Sequence, residues 1–248
     1  MDRAALFDVD GTLVDSNHLH VVAWWEALRQ GGHRVPTHAV HRAIGLPGER
    51  LLDHLLGEDH DHGDDDRLSA AHDTLYGTFF ERLQAFDHAA DLLRALAGDG
   101  WRIVLVTSAR DRELTALRRA LDADDAVTAT ATADDVEEGK PAPDPIELAL
   151  SLVDVGPDRA VFVGDSVWDM EAARRAHVIP VGLLCGGIPR ADLTEAGADT
   201  VHDDPRDLLA HLGSSPFAAV PAAPDEAGAP GTAPRRAVFG RLRRMSWR

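Results

Sequence analysis

The chain has 248 residues and a formal net charge of −17 at pH 7, with 42 acidic and 25 basic side chains. This acidity excludes nucleic acid and anionic membranes as expected partners of the main body, although a small anion can still bind beside a metal or a local cation. The one cysteine, Cys185, excludes an internal disulfide, and no signal peptide or membrane-spanning run is recognisable. We therefore expect a cytoplasmic protein that is a monomer or homodimer.

Apolar runs alternate with helical patterns along most of the chain and predict an α/β fold. The first run covers residues 4–7, and later ones cover residues 102–107, 126–132, 159–165, 178–184 and 200–202. Apolar residues at helical spacing lie between them, as in Leu114, Leu117 and Leu121. Strands that alternate with helices form a parallel sheet that is covered on both faces.

The block of residues 15–85 contains helical patterns only, at residues 17–30, 36–44, 48–57 and 66–84, with a polar loop at 58–66. It is too long for a simple crossover between strands. We predict a helical cap over residues 15–85, inserted into a catalytic core made of residues 1–14 and 86–213.

The C-terminal part has a different composition. Residues 214–234 are rich in Pro, Ala, Gly and Ser and predict a flexible linker. Residues 235–248 hold six arginines and no acidic residue, so this basic tail is a candidate to contact an anionic surface. A non-essential tail is the favoured interpretation.

Four polar clusters lie at or just after the predicted strand ends. They are Asp8 with Asp10, Thr107 with Ser108, Lys140, and Asp165 with Asp169. The carboxyl ends of parallel strands share one edge, so these clusters can converge. Packed carboxylates repel each other and require a divalent cation and a counter-charge. The pattern indicates phosphoryl transfer through a metal-assisted carboxylate nucleophile.

Lys140 is the single lysine among the 25 basic residues. Arginine supplies every other positive side chain, so this ammonium is expected to do what a guanidinium does poorly. A compact point charge beside phosphoryl oxygens and a carboxylate is such a task.

The stretches DVDGTLVDS, VTSAR, GKPAPDP and GDSVWD, in this order, resemble the four motifs of the haloacid dehalogenase-like hydrolase superfamily, in its group of capped small phosphatases. The resemblance covers residues 1 to about 212. It implies a Rossmann-like parallel sheet with an inserted α-helical cap, Mg²⁺ as cofactor and a small phosphorylated metabolite as substrate, of the phosphoglycolate or sugar-phosphate type.

The resemblance also implies roles for single residues. Asp8 would be the nucleophile that forms an aspartyl-phosphate, and Asp10 would be the general acid and then the general base. Thr107, with Ser108 beside it, would bind the phosphoryl group. Lys140 would neutralise Asp8 and the phosphate.

The implied metal site consists of the Asp8 carboxylate, the Asp10 backbone carbonyl and the Asp165 carboxylate. Asp169 would position Lys140 or the waters of the metal. Two arginines are candidates to bind the rest of the substrate: Arg50, in a loop that resembles the substrate-reading loop of the family, and Arg110.

Two other functions stay open at this stage. A phosphomutase of the β-phosphoglucomutase kind uses the same core but transfers the phosphoryl group to a substrate hydroxyl. A weakly catalytic binding protein is disfavoured by the intact set of polar clusters. Asp10 argues against dehalogenases, and the lack of lysine in residues 15–85 argues against phosphonate-cleaving relatives.

His60 and His62 lie among acidic residues in the polar loop of the cap. Histidine and carboxylate at alternate positions in a loop do not fix a coordination geometry. We interpret this segment as a solvated loop.

Overall fold

The computed structural model describes residues 2–132 and 135–221. Within them the chain forms a six-stranded sheet in the order β3-β2-β1-β4-β5-β6, and all neighbouring strands are parallel. The strands are β1 (Arg3–Phe7), β2 (Trp101–Val106), β3 (Val127–Ala131), β4 (Ala160–Gly164), β5 (Ile179–Leu183) and β6 (Thr200–His202). The predicted α/β class and parallel sheet are confirmed.

Strand β1 lies in the middle of the sheet and is buried on both faces. Ala5 and Phe7 belong to one apolar cluster, and Ala4 and Leu6 belong to the cluster on the opposite face. This alternation explains why the run is apolar throughout instead of alternating with polar residues. The helices of this part are α5 (Ala89–Gly98), α6 (Asp111–Leu121), α7 (Asp144–Leu152), α8 (Val167–Arg175), α9 (Arg190–Ala196) and α10 (Pro205–Ala210).

The inserted segment folds into helices with an apolar cluster of their own, which includes Trp24, Leu51 and Leu68. These helices are α1 (Asn17–Gln30), α2 (Thr37–Ala43), α3 (Gly48–Leu56) and α4 (Asp65–Tyr76). The helical insertion that was predicted is therefore present, while its limits at residues 15 and 85 stay a prediction.

The helix that was predicted over residues 66–84 is shorter. Helix α4 ends at Tyr76, and the chain continues as a 3₁₀ helix over Gly77–Arg82. Gly77 and Thr78 are poor helix formers, which explains why the α-helix stops there. Phe79 and Phe80 then pack against the cluster on the core sheet.

The linker that was predicted to begin at residue 214 is wrong in its first part. Helix α11 (Pro216–Ala219) follows, with Phe217 and Val220 buried in the core cluster. The Phe217 ring meets Trp101 edge-on at 5.0 Å between centroids. Buried apolar side chains hold this segment despite its Pro- and Ala-rich composition. Residues 222–234 and the basic tail 235–248 lie outside the described residues.

The strand order reverses direction at β1, because β2 and β3 follow on one side and β4, β5 and β6 on the other. Ligand sites of parallel sheets lie at such a switch point, beyond the carboxyl ends of the strands. The polar residues after β1, β2 and β4 all lie at this edge. No helix in the part of the chain that the structure describes is long and apolar enough to span a membrane.

Candidate active site

Asp8 follows β1 directly and is the centre of a buried ionic cluster. Its backbone N–H donates to the Val163 carbonyl of β4 at 2.9 Å, which fixes it between the strand ends. Its Oδ1 lies 2.5 Å from the Lys140 ammonium. Lys140 Nζ also lies 2.8 Å from Asp169 Oδ1 and 3.3 Å from the Val106 carbonyl at the end of β2. One lysine thus binds groups from three strand ends.

Asp165 follows β4 and receives two hydrogen bonds. Thr12 Oγ1 donates to its Oδ1 at 2.8 Å, and Asn17 Nδ2 donates to its Oδ2 at 2.7 Å. Thr12 Oγ1 also lies 3.2 Å from Asp8 Oδ2, so this hydroxyl joins the two carboxylates. A Cβ on Gly186 would lie 1.8 Å from Asp165 Oδ2, which explains why glycine occupies that position.

Asp169 lies in the first turn of α8 and is held by a reciprocal capping box with Ser166. Its Oδ2 accepts from the Ser166 hydroxyl at 2.7 Å and from the Ser166 N–H at 3.1 Å. Its other oxygen faces Lys140. The helix cap therefore orients one carboxylate oxygen toward the ionic cluster around Asp8.

Burial decides the charge state of this cluster. It raises the pKa of Asp8 to about 7, against the opposing effect of Lys140. Burial and the neighbouring Asp8 and Asp169 raise the pKa of Asp165 well above its usual value. Burial disfavours the Lys140 ammonium, but Asp169 and Asp8 more than compensate, and its pKa is raised. The cluster is short of positive charge.

The donor set fits a hard divalent cation. Asp8, Asp165 and Asp169 each bring a carboxylate oxygen within 4.8 Å of the others. Asn17 Oδ1 is a buried oxygen without a hydrogen-bond partner next to this group. Carboxylate and amide oxygens are ligands that Mg²⁺ accepts, and a cation would take the place of the proton that the raised pKa values imply.

The Asp10 carboxylate points to a different group. Its Oδ1 accepts from the Ser16 hydroxyl at 2.6 Å and lies 3.2 Å from His20 Nε2. Burial opposes ionisation of Asp10, but the bonds from His20 and Ser16 hold its pKa below the usual value. For His20 burial opposes the charge, and the bond to Asp10 raises the pKa. Both shifts favour the charged forms, an Asp10 carboxylate beside a His20 imidazolium.

Sequence reasoning missed His20, the partner of Asp10. Its Nδ1 lies 3.1 Å from His72 Nε2, and His72 Nδ1 lies 3.0 Å from Asp73 Oδ1. Burial lowers the pKa of His72 to about 4, so His72 is neutral and accepts from His20. Glu113 Oε1 lies 3.5 Å from His20 Nε2, and burial raises its pKa to about 7. The spacing of Ser16 and His20, one helical turn apart after DVDGT, was the available signal.

The remaining predicted site residues occupy different positions. Thr107 is buried just after β2, and its Oγ1 accepts from the Ala109 N–H at 3.0 Å. Ser108 and Arg110 are exposed in the same turn, and Arg110 precedes α6. Arg50 lies on α3 of the cap and pairs with Glu138 at 2.9 Å. The structure gathers Asp8, Lys140, Asp165 and Asp169 in one cluster, while Arg50 lies at the cap–core boundary.

The cap closes over the strand ends through close contacts at glycines. A Cβ on Gly45 would lie 2.8 Å from Ser166 Oγ, and a Cβ on Gly139 would lie 2.3 Å from Pro47 Cγ. His41 Nε2 lies 2.8 Å from the Gly186 carbonyl. The loop before α3 therefore packs on the segment that carries Lys140.

Comparisons with known proteins identify the family of the chain. The model of the haloacid dehalogenase-like hydrolase family matches residues 3–177. A phosphoglycolate phosphatase of Salmonella typhimurium is 31% identical over 233 residues, which cover 85% of this chain and 92% of that protein.

Solved structures share the fold. A hydrolase from Pseudomonas syringae superposes with a TM-score of 0.82 at 36% identity, covering 86% of this chain and 99% of that one. A β-phosphoglucomutase from Clostridium difficile shares the fold with a TM-score of 0.73 at 19% identity, covering 84% and 93%. This chain belongs to the haloacid dehalogenase-like hydrolase family and is a phosphatase of that family.

Proposed function

We propose that the protein is a Mg²⁺-dependent phosphatase that hydrolyses a small phosphorylated metabolite through an aspartyl-phosphate on Asp8. The observation that carries the proposal is the buried ion-paired group at the strand ends, in which Lys140 Nζ lies 2.5 Å from Asp8 and 2.8 Å from Asp169. A buried ammonium between two carboxylates costs desolvation energy and is retained where the charge serves chemistry.

The residues that would hold Mg²⁺ are Asp8, Asp165 and the backbone carbonyl of Asp10, with Asp169 beside them. When bound, the cation neutralises phosphoryl oxygens and polarises the phosphorus toward attack. Thr12 and Asn17 keep the Asp165 carboxylate in place through their hydrogen bonds. Hydrogen bonds from residues that do not touch the metal orient a ligand in this way before the metal arrives.

In the first half-reaction an Asp8 oxygen attacks the phosphorus, and the bond from phosphorus to the ester oxygen breaks. Asp10 gives a proton to that leaving oxygen, so the product leaves as an alcohol. Lys140 and the N–H groups after β1 offset the phosphoryl charge. In the second half-reaction a water attacks the phosphorus, Asp10 takes its proton, and the bond from Asp8 to phosphorus breaks.

His20 prepares Asp10 for both steps. Asp10 Oδ1 and His20 Nε2 lie 3.2 Å apart and share one proton. His72 Nε2 accepts from the other ring nitrogen of His20. The hydrogen bonds on both ring nitrogens fix the ring of His20. Asp10 therefore has a proton source on one side and Ser16 on the other.

The substrate class follows from the relatives. The Salmonella typhimurium protein is called a phosphoglycolate phosphatase, and that name supports a small phosphorylated acid as the substrate here. Arg50 on the cap and Arg110 after β2 are candidate cations for the substrate carboxylate. Arg50 would then exchange Glu138 for the substrate.

The test is phosphate release from a panel of phosphate esters, including 2-phosphoglycolate and sugar phosphates, with Mg²⁺ and with a chelator. Wild type is compared with Asp8→Asn and with a control, Asp158→Asn, an exposed aspartate before the amino end of β4. We expect Mg²⁺-dependent release that is lost in Asp8→Asn and kept in the control. Phosphate retained on an isomerised sugar would identify a mutase instead, and turnover by Asp8→Asn equal to wild type would overturn the mechanism.

A further inference from the structure

The connection between α3 and α4 on the cap holds a second cluster of side chains that can ligate a metal. His60 and His62 lie in this connection, with their ring centroids 4.3 Å apart. Asp53 comes from α3 and Asp65 begins α4. None of these four residues belongs to the carboxylate group around Asp8.

Three ligand atoms converge. His60 Nδ1 and His62 Nδ1 each lie 3.8 Å from Asp53 Oδ1. One donor atom from each of these three residues lies within 4.8 Å of the other two. Ligand atoms around a tetrahedral Zn²⁺ lie about 3.3 Å apart, given bonds of about 2.0 Å. The two histidine nitrogens would each have to move about half an ångström closer to Asp53 to reach this spacing.

Asp65 completes the arrangement. Its Oδ1 lies 2.7 Å from His60 Nε2. The other ring nitrogen of His60, Nδ1, is on the side of Asp53. A carboxylate on the outer nitrogen of a ligating histidine is the usual support of a protein metal site. Asp65 Oδ2 lies 3.0 Å from His62 Nδ1, and ligation by His62 would give up this bond.

Burial separates this cluster from an ordinary solvated loop. The side chains of His60 and Asp65 are 7% and 14% exposed, so both are held in place. The side chain of His62 is 57% exposed and leaves a path for an ion from solvent. Without an ion, His60 Nδ1 bonds the Gly57 carbonyl at 2.8 Å and His62 Nε2 bonds the Glu58 carbonyl at 3.1 Å. Ligation by His60 gives up the first of these bonds and leaves the second intact.

We propose that Asp53, His60 and His62 form a binding site on the cap for a transition-metal cation such as Zn²⁺, with Asp65 orienting the His60 ring. Two imidazoles with one carboxylate suit Zn²⁺ and its neighbours better than Mg²⁺, which prefers an oxygen-only set. The ion joins the end of α3 to the start of α4 and fixes their connection.

The first experiment is a Zn²⁺ titration of the tag-free full-length chain by calorimetry, with Mg²⁺ in excess to fill the carboxylate group around Asp8. We expect one Zn²⁺ per chain, and binding at least about 100-fold weaker in His60→Gln/His62→Gln. The matched control is His202→Gln/His211→Gln, because His202 and His211 flank Asp207 in another His–Asp–His group. The control is expected to bind like wild type.

Three results would overturn the proposal: no Zn²⁺ binding by wild type under these conditions, unchanged binding by His60→Gln/His62→Gln, or loss of binding in the control alone. The single variant His62→Gln serves if the double variant does not fold, because that side chain is mostly exposed. Substitution of Co²⁺ for Zn²⁺ lets the coordination geometry in the wild-type protein be read from its visible absorption spectrum. Visible absorption bands of tetrahedral Co²⁺ support the site, and a six-coordinate spectrum contradicts it.

Discussion

Asp8 and Asp10 are separated by one residue, and their surroundings act on them in opposite ways. The partners of Asp8 come from the core: Lys140, and Thr12 in the turn after β1. The partner of Asp10 comes from the cap, because His20 belongs to α1. The pKa of Asp8 is raised to about 7, while the pKa of Asp10 is lowered. The surroundings of the two aspartates therefore shift their pKa values in opposite directions.

The direction of these shifts is the reverse of what the first chemical step requires. A nucleophile has to be ionised and a general acid has to be protonated. A divalent cation beside Asp8 favours its ionised form, and a phosphate dianion beside Asp10 favours a proton on that side. In the proposed mechanism, binding of the cation and the phosphate ester would therefore set the charges of Asp8 and Asp10 for the reaction.

The largest expected effect on turnover concerns Asp10, whose carboxylate faces His20 on the cap. Asp10→Asn removes proton transfer and is expected to lower kcat by about 10²- to 10⁴-fold. Mg²⁺ affinity should change little, because Asp10 would contribute its backbone carbonyl. Turnover of the best substrate and Mg²⁺ activation curves measure the two quantities. Unchanged turnover would remove Asp10 from the mechanism, and Asp158→Asn is the control.

The core-facing side is tested through Lys140. Lys140→Met is expected to lower kcat by about 10²- to 10³-fold, since one charge on the transferring group is lost. It also leaves Asp8 and Asp169 buried without a counter-charge, which costs about 3–5 kcal/mol in the free energy of unfolding. Lys140→Arg should not restore turnover, because a planar guanidinium does not fit the place of a compact ammonium. An active Lys140→Arg enzyme would contradict the argument from the single lysine.

A smaller effect is expected from the cap side. His20→Gln keeps a donor to Asp10 but removes the charge, and we expect kcat to fall about 10-fold with KM little changed. His18→Gln, an exposed neighbour on the same helix, is the control. If both variants have wild-type kcat values, Asp10 works without help from the cap.

The raised pKa of Asp8 predicts how stability depends on pH. In a chelator, the folded chain keeps a proton on Asp8 up to about pH 7, whereas the unfolded chain loses it near the ordinary value of 3.8. The contribution of Asp8 to the free energy of unfolding is therefore lost as pH rises through this window. Wild type should lose at least about 1.4 kcal/mol relative to Asp8→Asn from about pH 5 to about pH 7.5. Denaturant unfolding at several pH values measures this difference, and parallel curves would contradict the shift.

The smallest effect is expected at the cap–core boundary. Arg50→Gln breaks an exposed ion pair with Glu138, worth at most about 1 kcal/mol. If Arg50 binds the substrate carboxylate, KM for 2-phosphoglycolate rises more than KM for a neutral sugar phosphate. Equal changes for both esters would limit Arg50 to the pair with Glu138, and Glu138→Gln shows the effect of that pair alone.

The core side of the site could be predicted from the sequence because the rule is topological. Asp8, Thr107 and Asp165 each follow an apolar run, and parallel strands bring such positions to one edge. Lys140 does not follow a predicted strand. It could be picked out because it is the single lysine in the chain.

The cap side could not be predicted in the same way. His20 lies on a helix whose apolar spacing carries no mark of a functional histidine, and its partner His72 is 52 residues away in α4. The packing of Phe217 depends on tertiary contacts, and the apolar residues after Tyr76 obscured the end of α4 that Gly77 and Thr78 mark. Composition favoured a loose linker in the first case and a longer helix in the second.

The position of His72 next to His20 also places it beside a tryptophan of the cap, which can serve as an optical probe of the site. The indole of Trp24 stacks on His72 with 4.3 Å between centroids, and His72 is hydrogen-bonded to His20. A proton that moves between Asp10 and His20 therefore changes the electric field at a fluorophore two rings away. Stopped-flow emission, with Trp24→Phe as the silent reference, would follow the acid–base group during turnover without any label.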